Sequence, residues 1–259
     1  MVGLGSFLFK LIFAPLMLAT VSVVSRRWGT SIAGSLAALP VVAGSITFFV
    51  SLERGPAFGS QTAAAALVGI ASLGWFSLAY AHASGRLGWP WSIVLGYLAV
   101  LVASVAVIPL GHAPGLLILA FTLAVLRIAY RLMPAARPDP RLVPPRWDIP
   151  ARMVTGAVVV VVLTAVAGGV GPQVSGLLAA FPLMTSVLLV FTHRHEGAEQ
   201  ARGLLRGFLT GLVATSVFLE IAADGIVPLG LGPALGLGIA ACLAYQAAVI
   251  HFAGSRPLT

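Results

Sequence analysis

Hydrophobic residues run along this chain in stretches of about 20, each closed by a short break rich in glycine, proline or arginine. A helix of that length rises far enough to cross a hydrocarbon layer of about 30 Å. The pattern predicts nine spans, at about 4–24, 30–52, 60–82, 90–110, 114–131, 151–169, 173–193, 202–222 and 230–252. Strands of alternating polarity are absent, which argues against a β-barrel. The one extended linker runs from Met133 to Pro150, where Pro134, Pro138, Pro140, Pro144, Pro145 and Pro150 forbid a continuous helix. The expected fold is therefore all-α, a polytopic membrane protein with no soluble domain.

The apolar pattern also repeats. Gly29-Thr30-Ser31-Ile32-Ala33-Gly34-Ser35-Leu36-Ala37-Ala38-Leu39-Pro40 returns as Gly171-Pro172-Gln173-Val174-Ser175-Gly176-Leu177-Leu178-Ala179-Ala180-Phe181-Pro182. The same spacing relates Phe49 to Phe191, Gly55 to Gly197, Gly69 to Gly211 and Lys10 to Arg152. The first apolar segment has a counterpart in mid-chain, so it reads as part of the fold rather than as a cleaved leader. Spans one to four match spans six to nine, and span five has no counterpart. Five spans separate each helix from its equivalent, and an odd number reverses direction, so the two four-helix units are expected to be inverted repeats. The corresponding division is a first repeat over 1–112, a connector helix and Pro/Arg-rich loop over 113–150, and a second repeat over 151–259.

Charge fixes the expected orientation. Only 8% of residues are charged, against roughly 25% in a soluble domain, and the net charge is +8. Arg26, Arg27, Arg86, Arg127, Arg131, Arg137, Arg141, Arg146, Arg152, Arg194, Arg202, Arg206 and Arg256 all fall on one side of a nine-span arrangement, with Arg54 the exception beside Glu53. That side is expected to be cytoplasmic, placing the N-terminus outside and the C-terminus inside a bacterial inner membrane. The arginines are accounted for by orientation, and no basic–aromatic run suggests nucleic acid. Cys242 is the single cysteine, so no intrachain disulfide can form.

Candidate chemistry concentrates at the repeated prolines. Pro40 and Pro182 fall about ten residues into their spans, where each removes a donor and frees a carbonyl. In lipid that carbonyl needs a partner from protein, water or ligand. Small or hydroxyl residues follow: Ala43, Gly44, Ser45 and Thr47 in the first copy, Thr185 and Ser186 in the second. Inversion would face these groups toward one another, giving a solute site near the midplane; a pair of kinks that merely shape packing is the competing reading. Gly34 and Gly176 read as helix-packing contacts. Glu220 is the one carboxylate well inside a span, a candidate for ion coupling or for a place among the headgroups. Lys10 and Arg152 read as snorkelling side chains.

His193, His195, Glu196 and Glu199 lack a third ligand at suitable spacing and read as a polar helix end rather than a metal site. No nucleophile elbow, facing carboxylate pair or phosphate-binding glycine loop is present, so neither an enzyme nor an ATP-driven pump is expected, and no cofactor. The second half resembles the small GlpM-type bacterial inner-membrane proteins through Gly176-Leu177-Leu178-Ala179-Ala180-Phe181-Pro182, the turn at Glu196-Gly197, and Ala201-Arg202-Gly203-Leu204-Leu205-Arg206. The first half repeats the pattern through Ile32-Ala33-Gly34, Pro40 and Leu52-Glu53-Arg54-Gly55. The resemblance implies two such four-span units fused, transport-related, with no catalytic residues to carry over. The expected function is a secondary transporter or channel for a small anionic or neutral polar solute, in contact with membrane lipid. A lipid flippase or scramblase and a structural partner in an envelope complex are the alternatives.

Overall fold

The computed structural model describes residues 4–107, 113–139, 144–145, 147–169 and 182–254. Among these the regular secondary structure is all helical: α1 (Leu4–Trp28), α2 (Thr30–Ala37), α3 (Val41–Arg54), α4 (Pro56–Ala83), α5 (Trp89–Val107), α6 (Gly115–Leu132), α7 (Asp148–Gly169), α8 (Leu183–Glu196), α9 (Ala198–Leu229) and α10 (Leu231–Gly254). Five stretches are long and apolar enough to cross a membrane: Pro56–Ala83, Trp89–Val107, Gly115–Leu132, Ala198–Leu229 and Leu231–Val249. The chain is a multi-pass membrane protein. The repeated motif in its second copy, from Gly171 to Phe181, lies outside the described residues, as do His112, Arg141, Arg146 and Arg256; so does the side chain of Lys10.

The expected span over 30–52 is two helices. α2 ends at Ala37 and α3 begins at Val41, with Ala38, Leu39 and Pro40 between them. The cause is Pro40, which has no N–H to give and crowds the preceding turn. Gly44 N–H resumes helical bonding to the Pro40 carbonyl at 2.7 Å. Pro182 stands in the same relation to α8, with Ser186 N–H bonding the Pro182 carbonyl at 2.8 Å. The backbone angles agree: φ −74° and ψ 36° at Pro40, φ −77° and ψ 55° at Pro182. Both α3 and α8 have 14 residues. Each ends on a glycine in the left-handed region, Gly55 at φ 93° and Gly197 at φ 95°, where a Cβ would be strained. The next helix starts at once, so each glycine is a one-residue corner.

α9 is the central helix. It packs on α2, α10, α4, α6 and α8. α4 packs on α5 as α9 packs on α10, α1 lies against α7, and α4 lies against α9. The interior is built from Leu67, Phe76, Tyr80, Leu204, Leu205, Phe218 and Leu219, all nearly or fully buried. The outer surface is apolar as well, with Trp91, Val102, Val105, Leu116 and Val154 exposed, as expected for a surface facing lipid rather than water.

Candidate functional site

The first break is closed by α9. Gly203, Gly207 and Gly211 recur every four residues along one face of that helix and let α2 approach backbone to backbone. A Cβ at Gly207 would lie 1.7 Å from the Ser31 carbonyl oxygen, and one at Gly34 would lie 1.9 Å from that of Leu204. The packing role expected of Gly34 is what the structure shows. The carbonyl of Ala38 accepts a hydrogen bond from Thr215 Oγ1 of α9. Three residues before Ala38, Ser35 Oγ donates to Gln246 Oε1 at 2.5 Å, and Gln246 Nε2 returns a bond to Ser35 O at 3.0 Å. Gly44 faces the Phe218 ring, Ala43 packs against the core, and Ser45 Oγ bonds back to Val41 O at 2.6 Å. Thr47 is fully buried, and its hydroxyl has no hydrogen-bond partner among the described residues.

The surroundings of Pro182 are arranged differently. Pro182, Thr185 and Ser186 are buried at the start of α8. Ser186 Oγ donates to Pro182 O at 2.8 Å and accepts from Tyr97 Oη of α5 at 2.7 Å. Ser186 and Tyr97 border an open cavity of about 170 Å³ between α5, α7 and α8, whose walls include Thr155, Val159, Val187 and Phe191. Three hydroxyls therefore meet an otherwise apolar wall. The two groups of candidate residues attach to different surroundings: Pro40, Ala43, Gly44 and Thr47 to the α4–α9–α10 side, and Pro182, Thr185 and Ser186 to the α5–α7 side.

A cluster that the sequence reading missed lies where α1, α7 and α8 meet. Arg152 is 1% exposed. Its Nε lies 2.8 Å from Asp148 Oδ2, close in distance but not aligned as a hydrogen bond, and its Nη2 bonds Glu196 Oε1 at 3.1 Å. Nη1 donates to Thr192 Oγ1 at 3.3 Å. His195 Nδ1 donates to Asp148 Oδ1 at 2.7 Å, and Arg26 approaches the same carboxylate at 3.6 Å. Arg152 therefore does not snorkel; its charge is neutralised inside the protein. Burial pushes the Glu196 carboxyl up from its ordinary value, and the Arg152 guanidinium opposes that. The i,i+4 spacing of Asp148 and Arg152 was the available signal. Nothing in the sequence pointed to Glu196 as the third member.

The neighbouring polar residues are also occupied. His193 Nδ1 hydrogen-bonds Tyr80 Oη at 3.0 Å. Glu199 pairs with Arg202 at 2.6 Å and accepts from the Arg137 backbone N–H. Arg202 reaches Ala81 O, and Arg206 reaches Met133 O. These contacts gather Arg26, Arg137, Arg152, Arg202 and Arg206 at one end of the molecule. Among the described residues no three His, Cys, Asp or Glu side chains converge as metal ligands. At the opposite end Glu220 is buried between α9 and the start of α6.

No protein-family model, no curated protein and no solved structure matches the chain.

Proposed function

We propose that this protein is a membrane transporter or channel for a small, neutral, hydroxylated solute, built from two GlpM-like units in inverted orientation. On this reading nine passes cross a bacterial inner membrane, with the N-terminus outside and the arginine-rich end in the cytoplasm. The units are 1–112 and 151–259, joined by α6 and the linker within 113–150. The observation that carries the reading is a matched pair of helices, α3 and α8: Pro40 with Gly55 and Pro182 with Gly197 bound helices of equal length and matching end geometry. Opposite direction is supported by their surroundings. α8 ends at Glu196 in the arginine-rich cluster, whereas α3 leads away to α4, whose Ser60 bonds Ala223 O toward the far end of α9.

Paired discontinuous helices at a repeat interface are the usual site of substrate binding in such folds. Here the first break is filled by Thr215, Phe218 and Gln246, while the second adjoins the cavity. Exchange of those two roles between the repeats would be the alternating-access cycle. The cavity walls contain hydroxyls and no charged side chain, which favours a neutral solute over an anion. Its volume of about 170 Å³ is room for a small solute.

Osmotic swelling of proteoliposomes tests this. Small polyols should enter faster than into protein-free vesicles, and Thr155→Phe, which fills the cavity, should abolish the difference. Equal rates for every neutral solute and small anion tried would remove the reading. One observation favours a lipid-handling alternative: the cavity is open and largely apolar-walled. Scrambling of a fluorescent lipid in the same vesicles, with no solute flux, would select it.

A further inference from the structure

Glu220 carries an inference that the transport reading does not use. Its side chain lies within α9, nine residues before Leu229, and the residue is 6% exposed. Neither carboxyl oxygen has a hydrogen-bond partner among the described residues. The carboxyl lies against the first residue of α6: a Cβ at Gly115 would come within 2.6 Å of Oε1 and 3.0 Å of Oε2. Gly115 is thus the residue that makes room for it. Among the described residues the neighbouring contacts offer no compensating cation; His112, three residues before Gly115, lies outside them. α6 contributes Gly115, α4 contributes Ser60 against Ala223, and α10 contributes Ala234 against Gly225. Asp224, one turn further along α9, is exposed and like-charged, and Glu53 and Arg54 lie exposed at the end of α3.

An ionised carboxylate removed from water with no donor is costly, and the positive end of α6 offsets only a fraction of that cost. Taking up a proton removes the charge. We propose that Glu220 is a membrane-embedded proton-binding site, seated against Gly115 at the α6 N-terminus and loaded and emptied from the side of the molecule opposite the arginine cluster. The site stands on this geometry and does not require that the protein transport anything.

The test is chemical and is made on the wild-type protein in its membrane. Dicyclohexylcarbodiimide partitions into the bilayer and reacts with carboxylic acids in their protonated form. The acid adds across one C=N bond of the reagent to give an O-acylisourea, which rearranges to a stable N-acylurea with nothing leaving. Peptide mass spectrometry after treatment at neutral pH should find the adduct on Glu220. The rate should fall as pH is raised and should not change with added Na⁺. Glu220→Gln should lose that adduct alone. Gly115→Ala, which drives a methyl group into the carboxyl, should lower the labelling several-fold. Absence of the adduct on Glu220 at neutral pH, with a water-soluble carbodiimide labelling it instead, would overturn the proposal by showing a carboxyl open to water rather than embedded in the membrane. Protection by Na⁺ would overturn it in favour of a metal-cation site. The swelling experiment can fail while this one succeeds, and the reverse.

Discussion

Tyr97 on α5 donates its hydroxyl hydrogen to Ser186 Oγ at 2.7 Å, and Ser186 passes a hydrogen bond to the carbonyl of Pro182 at 2.8 Å. The link ties a helix of the first half to the helix that Pro182 opens in the second, and it forms the polar lip of the cavity. It should be an energetic unit. Ser186→Ala and Tyr97→Phe are each expected to cost about 1 kcal/mol, with the double variant costing less than their sum. Thermal unfolding of the four proteins in one detergent measures this; strict additivity would mean that the hydroxyls do not interact.

The two buried threonines near the first break should behave oppositely. Thr215 caps the Ala38 carbonyl, which the break leaves without a helical donor. Thr215→Val keeps the shape and removes the donor, so about 1–3 kcal/mol of stability should be lost. Thr47 has a buried hydroxyl with no partner among the described residues, so Thr47→Val should be neutral or stabilising. A large loss from Thr47→Val in stability would show that its hydroxyl is bonded after all.

Arg152 should be the arginine the fold can least lose. Its removal leaves the buried Glu196 without its cation and Asp148 with only His195 and the more distant Arg26, for which a cost of about 3 kcal/mol is expected. Glu199 pairs with Arg202 at a position about half exposed, and Glu199→Ala should cost about 1 kcal/mol or less. Comparable melting temperatures for Arg152→Ala and Glu199→Ala would contradict the network.

Gly207 and Gly69 separate close packing from glycine's backbone freedom. Alanine at Gly207 would drive its Cβ to 1.7 Å from the Ser31 oxygen and force α2 from α9, at a cost of about 3 kcal/mol. Gly69, also within a helix, has open space around it. Gly69→Ala should be neutral or raise stability by up to about 1 kcal/mol. The same melting assay reads both.

The long apolar helices, and the break at Pro40, were legible in the sequence because apolar length and proline chemistry are local. Pro40, Pro182 and the glycines that end α3 and α8 stood at matching positions before any coordinates. The kink expected at Pro40 proved to be an interruption, since Ala38, Leu39 and Pro40 stand between two separate helices. Partners were not legible. A helix that is hydrophobic all round has no polar stripe to say which face turns inward, so nothing in the chain joined Thr215 to Ala38, Gln246 to Ser35 or Tyr97 to Ser186. Arg152 was misjudged for a related reason. Its position near a span end suited snorkelling, and only the fold brings Glu196 and Asp148 around it. The first set of site residues falls against α9 and the second beside α5 and α7, a division that the matching motifs concealed.

The central claim is that the two breaks take turns opening a path. The direct measurement is thiol labelling in a Cys242→Ala background, with single cysteines at Ala43 beside the first break and Thr155 in the cavity beside the second. A membrane-impermeant reagent is applied to each face of sealed vesicles in turn. The account predicts that Thr155→Cys reacts from one face and Ala43→Cys is protected, and that a transported polyol shifts both reactivities in opposite directions. Protection of both from either face, with loop cysteines reacting normally, would contradict it and leave the prolines as shapers of a packed interior.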